Sequence, residues 1–218
     1  VQRKATWSRS RLRSDDSPPR ESEADIHLQP VRAVLWDADG VLQATPAGTW
    51  DLAVGVVSQF PGAITGAAID EDRIRAVADA IGLGGHVDEV LSVWWTFDVL
   101  QPTLEIVARV QAAGVSCYLA TNQDSYRAAC MRDRAPYDEI LDGAYYSCEI
   151  RSAKPSAEFF EHVASDLALA PEQLLFIDDQ PANVSGARSA GLNAECWAHT
   201  DGMDRLRALL EAYGIHLD

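Results

Sequence analysis

Residues 31–43, VRAVLWDADGVLQ, decide how the chain is read. Val31, Ala33, Val34, Leu35 and Trp36 make an apolar run too short for a helix, which reads as a buried strand. At its carboxyl end stand Asp37-Ala38-Asp39-Gly40. Two carboxylates two residues apart project to the same side of an extended chain. Open α/β sheets keep their ligand crevices outside the carboxyl ends of their strands. Asp and Gly are also ordinary turn formers, so the pair gains meaning only from what else reaches the same crevice.

Downstream, strands alternate with helices. Leu104, Val107 and Val110 form a helical stripe ended by Gly114. Residues 115–120 (VSCYLA) read as the next buried strand and run into Thr121-Asn122-Gln123, and residues 140–146 hold a short strand. Lys154-Pro155-Ser156 opens a helix with Phe159, Phe160 and Val163 on its inner side. Residues 174–177 (LLFI) are a third clear strand, ending in Asp178-Asp179. Residues 194–197 make a last strand, and Asp201 is expected to cap a C-terminal helix carrying Leu206, Leu209 and Leu210. This alternation predicts an α/β fold, a Rossmann-like, mostly parallel sheet with helices on both faces.

Residues 46–98 break the alternation, with helical patterns and no evident strand. Asp70 is placed as an N-cap before Ile74, Val77 and Ile81, with Gly82 as the stop. A second amphipathic run covers Val87, Val90, Leu91 and Trp94. The segment predicts a small helical cap inserted after the first strand, a lid over the crevice. Residues 30–45 and 99–218 then form the catalytic core. Residues 1–29, with a Pro-Pro pair and little apolar periodicity, read as a flexible, nearly neutral tail.

The formal charge of −15 argues against nucleic acid or an anionic membrane as partner, since both reward clustered Lys and Arg. A local cation can still invert the field within one pocket and admit an anionic substrate. Cys117, Cys130, Cys148 and Cys196 show no zinc spacing and read as reduced thiols of an intracellular protein. No apolar run reaches transmembrane length, and no apolar segment follows the basic start as in a signal peptide, so a cytoplasmic location is expected. Basic residues are almost all Arg, which singles out Lys154 as the one Lys beyond the tail.

Three strand ends thus carry Asp37/Asp39, Thr121/Asn122 and Asp178/Asp179, with Lys154 opening a helix between the last two. Carboxylates gathered there without a counterion would raise one another's pKa or push the site apart. Lys154 and a divalent, oxygen-preferring cation resolve this, and Mg²⁺ suits a few carboxylates completed by water and phosphate.

The order Asp37-x-Asp39-Gly40, Thr121-Asn122, Lys154-Pro155, Asp178-Asp179-x-x-x-Asn183 resembles the four-motif signature of the haloacid dehalogenase-like hydrolase superfamily. Residues 176–191, FIDDQPANVSGARSAG, resemble the fourth motif of the branch that holds sugar-phosphate phosphatases and the N-terminal phosphatase domain of soluble epoxide hydrolases. The insertion resembles that family's small cap. The resemblance implies a Mg²⁺-dependent phosphatase acting on a small phosphorylated metabolite. In it Asp37 is the nucleophile that becomes an aspartyl-phosphate, and Asp39 is the general acid and base. Thr121, Asn122 and Lys154 bind the phosphoryl oxygens. Mg²⁺ sits on Asp37, the backbone carbonyl of Asp39 and a fourth-motif aspartate. Aligning that motif with its commoner Gly-Asp-x-x-x-Asp form makes Asp179 the direct ligand and Asp178 its supporting partner or the holder of Lys154.

Dehalogenases proper lack an acid at the second position of the first motif, so Asp39 favours phosphate chemistry. A phosphomutase would share every core motif, and a catalytically silent binding protein on the same fold is the alternative from another class. A receiver domain orders its acids differently along the chain. Trp36 stands where Phe is more usual. Trp94, Trp95 and Phe97 either pack in a core or face the substrate.

Overall fold

A computed structural model describes residues 30–217; the expected N-terminal tail lies outside the described residues. The apolar run after Arg32 forms strand β1 (Ala33–Trp36), followed by a two-residue strand β2 (Gln43–Ala44). Helices α1 (Val54–Val57), α2 (Glu71–Ala80) and α3 (Val87–Ser92) come next, and β3 (Asp98–Val99) closes the segment. The alternating part holds α4 (Gln101–Ala112), β4 (Ser116–Thr121), α5 (Ser125–Arg134), α6 (Tyr137–Ile140), β5 (Gly143–Tyr146) and α7 (Ser147–Ile150). It ends with α8 (Ala157–Leu167), β6 (Leu174–Asp178), α9 (Pro181–Ser189), β7 (Asn193–Cys196) and α10 (Met203–Ala212).

Five strands pair in the order β5-β4-β1-β6-β7, every pair parallel. The chain builds the sheet outward on one side of β1 and then returns to build the other side. β1 is therefore central, and the crevice where the order reverses opens at its carboxyl end. Alternation along β1 divides the core. Val34 and Trp36 face a layer with Val107 and Val110 of α4, Met131 of α5 and Leu206 and Leu210 of α10. Ala33 and Leu35 face the opposite layer, with Phe159, Phe160 and Val163 of α8 and Val184 and Ala187 of α9. A strand buried on both faces has to be apolar throughout, which is why β1 shows no polar alternation.

The segment between β2 and β3 has a core of its own, in which Ala53, Val56, Phe60, Ile74, Ala78, Val90, Leu91 and Trp94 are buried. Asp70 caps α2 by accepting from the Arg73 amide, and Gly82 follows the helix with φ of +84°. The sequence reading held no strand here. In the structure β2 and β3 pair antiparallel, Gln43 with Val99 and Ala44 with Asp98, tying the exit and re-entry of the segment together. Two residues per strand are too few to leave a period in the sequence.

Asp201 does not cap the C-terminal helix as expected. Its carboxylate accepts from the Ala198 amide and pairs with Arg205, while Gly202 occupies the position before α10. No helix among the described residues is long and apolar enough to cross a membrane.

Candidate active site

The amide of Asp37 donates to the Ile177 carbonyl at 2.9 Å, extending the sheet ladder one residue past Trp36. That bond seats the Asp37 side chain between β4 and β6, the strands that carry Thr121 and Asp178. Lys154 completes the arrangement. Its Nζ donates to Asp37 Oδ1 at 2.8 Å, Asp178 Oδ2 at 2.6 Å and the Ala120 carbonyl at 2.8 Å. All three donors of the ammonium are thereby used. Burial by itself would lower the Lys154 pKa, but Asp37 and Asp178 outweigh it and hold the group above its ordinary value. Burial pushes the Asp37 carboxyl up to about 7 against the pull of Lys154, and Asp178 and Asp39 add to the rise.

Asn122 fixes the backbone of Lys154. It donates to the Lys154 carbonyl at 2.8 Å and accepts from the Lys154 amide at 2.9 Å. Its side chain thus positions the lysine, and one N–H of Nδ2 is left over beside the cavity that Asn122 lines.

The adjacent acids Asp178 and Asp179 diverge, as neighbours at a strand end must. Asp178 is wholly buried, and besides Lys154 it accepts from the Gln180 amide at 2.7 Å and from Asn183 Nδ2 at about 3 Å, 3.1 Å and 3.0 Å to its two oxygens. Asp179 reaches the cavity, with a single side-chain donor from Gln180 at 2.8 Å. Burial raises its pKa, and Asp178 adds to the rise against the Gln180 donor. Gly40 makes room for it. At φ of +83°, a Cβ on residue 40 would lie 2.7 Å from Asp179 Oδ2, so both backbone and space demand glycine.

Asp39 belongs to a second network. Its Oδ1 accepts from Gln43 Nε2 at 2.9 Å, Thr45 Oγ1 at 3.2 Å and Arg127 at 2.9 Å, and its Oδ2 accepts from Gln123 Nε2 at 2.7 Å. Burial would raise this carboxyl, but Arg127 and the Gln43 and Gln123 donors outweigh it and hold the pKa below its ordinary value. Gln123 also donates to Thr121 Oγ1 at 3.1 Å, which links the second network to the first.

These groups line a cavity of about 420 Å³ that takes in Asp37, Asp39, Thr121, Asn122, Lys154 and Asp179 but leaves Asp178 beneath its floor. Trp94, Trp95 and Phe97 are not among its lining residues. Trp94 is buried in the core of the inserted segment, with Nε1 donating to Asp124 at 2.9 Å. Carboxylate oxygens of Asp37, Asp178 and Asp179 lie within 4.8 Å of one another, an all-oxygen donor set. Lys154 alone cannot balance three carboxylates, and a hard divalent cation such as Mg²⁺ fits both the charge and the donors. The Asp39 carboxylate stands outside that group.

Gln43, Thr45, Gln123, Arg127 and His199 were not singled out from the sequence. Arg127 left a trace: it shares the inward face of α5 with Ala128 and Met131, where an arginine is out of place unless paired. The others are polar residues in loops, a two-residue strand or, for His199, a single 3-10 turn, with no pattern to separate them from solvated neighbours.

The geometry can be set beside known proteins. A family model for haloacid dehalogenase-like hydrolases matches residues 54–191, a stretch that includes Thr121, Lys154, Asp178 and Asp179. A sesquiterpene phosphatase of Aspergillus oryzae is 25% identical over 126 residues, covering 56% of this chain and 63% of that protein. A flavin mononucleotide hydrolase of Arabidopsis thaliana is 30% identical over 73 residues, covering 34% of this chain and 30% of that protein. The matched region therefore spans less than two thirds of either relative. A HAD family enzyme of Bacteroides thetaiotaomicron, crystallised with magnesium and inorganic phosphate, superposes with a TM-score of 0.68 at 20% identity, covering 81% of this chain and 98% of that one. Since a single model accounts for residues 54–191, more than half its length, the chain belongs to the haloacid dehalogenase-like hydrolase family.

Proposed function

We propose that the protein is a Mg²⁺-dependent phosphatase that hydrolyses a small, polar phosphomonoester through an aspartyl-phosphate on Asp37. The observation that carries this reading is the Asp37 carboxylate at the carboxyl end of the central strand, oriented by Lys154 at 2.8 Å, with Asp39 two residues on at the same cavity. A carboxylate so held is a nucleophile aimed by its counterion. Asp39, ionised in the free site, takes up a proton from the entering phosphomonoester monoanion. Asp37 then attacks phosphorus and the bond to the leaving oxygen breaks, with Asp39 passing that proton to the leaving oxygen. Asp39 then takes a proton from the water that attacks the phosphorus of the aspartyl-phosphate, which frees Asp37 and inorganic phosphate. Lys154 and Thr121 hold the phosphoryl oxygens, and a compact ammonium suits that task. Mg²⁺ held by Asp37 and Asp179 would neutralise charge on the transferring group.

The side chains of the cavity wall support a small polar substrate. Among the described residues that line it, Ala44 contributes the one apolar side chain; the rest, Gly40 aside, are carboxylates, amides, hydroxyls, Lys154 and His199. Such a wall can hydrogen-bond a hydroxylated, polar leaving group. The test is a panel of phosphorylated sugars, polyols, nucleotides and prenyl phosphates with Mg²⁺, read as released inorganic phosphate. Turnover of small polar esters, dependent on Mg²⁺, is expected. Conversion of a sugar phosphate to its isomer without phosphate release would make the protein a phosphomutase instead.

A further inference from the structure

Arg127 is a charged side chain of the core sheet's own helix, buried to 2% exposure, and nothing in the chemistry above uses it. Its guanidinium spans two regions. One terminal nitrogen donates to Asp39 Oδ1 at 2.9 Å and Thr45 Oγ1 at 3.1 Å. The other donates to the carbonyls of Val93 and Trp94, each at 3.1 Å, where the inserted helical segment returns to the core. Trp50 and Phe97, from the two ends of that segment, stack on the guanidinium at 5.1 Å and 5.4 Å. The two terminal nitrogens are met while the buried Nε has no partner. A buried charge is tolerated when it is paired, and a planar fork can serve two sets of acceptors at fixed angles.

We propose that Arg127 is a positioning residue for proton transfer. It sets the Asp39 carboxylate relative to the leaving oxygen and registers that carboxylate against the Val93 and Trp94 carbonyls of the inserted segment. The inference rests on the phosphatase reading, with Asp39 as acid and base. In the step concerned, the bond between phosphorus and the leaving oxygen breaks as the bond to Asp37 forms. Asp39, ionised in the free site beside Arg127, takes up the proton of the entering phosphomonoester monoanion and passes it to the leaving oxygen, and water later returns one to Asp39. How much that transfer matters depends on the leaving group. An alkoxide needs the proton, whereas a nitrophenolate leaves without it.

Leaving-group dependence therefore separates positioning from mere support of the fold. Wild type, Arg127→Met, Arg127→Lys, Asp39→Asn and the double variant Arg127→Met/Asp39→Asn are compared on glycerol phosphate and on p-nitrophenyl phosphate with Mg²⁺. For Asp39→Asn the loss of kcat on glycerol phosphate is expected to be about 10²–10⁴-fold. Arg127→Met should lose about tenfold or more on glycerol phosphate and only about twofold on p-nitrophenyl phosphate. The double variant should be no slower than Asp39→Asn, because the two act in one step. Arg127→Lys, which keeps the charge without the fork, carries the same comparison should the methionine variant not fold.

Equal losses on the two esters, or a double variant whose losses multiply, would overturn the proposal. If Asp39→Asn shows the leaving-group pattern and the Arg127 variants do not, the phosphatase reading stands and this inference fails. If wild type releases no phosphate from any ester, both fail together.

Discussion

At the scale of the residue, the division of labour between Asp178 and Asp179 sets the sharpest expectation. Asp178 is wholly buried and its acceptors are engaged by Lys154, Gln180 and Asn183, whereas Asp179 faces the cavity with one side-chain donor. Asp179→Asn should therefore raise the Mg²⁺ concentration needed for activity by more than about 10–100-fold, the range typical of supporting partners. It should leave stability within about 0.5 kcal/mol, as for a substitution outside the packed core. Asp178→Asn should lower stability by about 1–3 kcal/mol, because it weakens the satisfaction of buried Lys154. Magnesium titration of activity and denaturant unfolding of both variants check this. A destabilised Asp179→Asn beside a stable Asp178→Asn with weakened Mg²⁺ dependence would reverse the two roles.

Between elements, the contact of α9 with the segment before α8 governs where Lys154 sits. A Cβ added at Gly186 would lie 2.3 Å from the Pro155 carbonyl oxygen. Gly186→Ala gains about 1 kcal/mol of helix propensity on α9. The clash is with backbone, which does not yield as a flexible side chain would, and overpacking of this kind costs about 1–3 kcal/mol. The variant should be less stable than wild type and should lose activity, since the Lys154-Pro155 segment must move. Unchanged unfolding and unchanged kinetics would show that the two elements are not coupled. The strands that position the site were legible because each is a continuous apolar run ending in polar residues, as residues 174–177 followed by Asp178-Asp179 illustrate. The β2–β3 ribbon was not, because its pairing joins residues more than fifty positions apart through two residues on each side. The arrangement at Gly202 escaped for a related reason. Asp201 has the chemistry of a cap, and only the turn around it aims its carboxylate at Ala198 instead.

For the molecule as a whole, the primary acids and Lys154 could be found in the sequence because each stands at a strand end or helix start. Their supporting shell could not. Gln43 and Thr45, just past β1, and Gln123 and Arg127, just past β4, reach Asp39 from two stretches far apart in the chain, and only the pairing of β1 with β4 brings them together. The family match begins at residue 54, after Asp37 and Asp39, so the identity of the nucleophile rests on the site's geometry. The direct measurement is to quench the protein during turnover of a phosphomonoester with Mg²⁺, reduce any acyl phosphate with borohydride and locate the product by peptide mass spectrometry. An aspartyl-phosphate on Asp37 predicts homoserine at position 37, and none there in Asp37→Asn. Phosphate release with position 37 unmodified, or with the modification at Asp39, Asp178 or Asp179, would contradict the account.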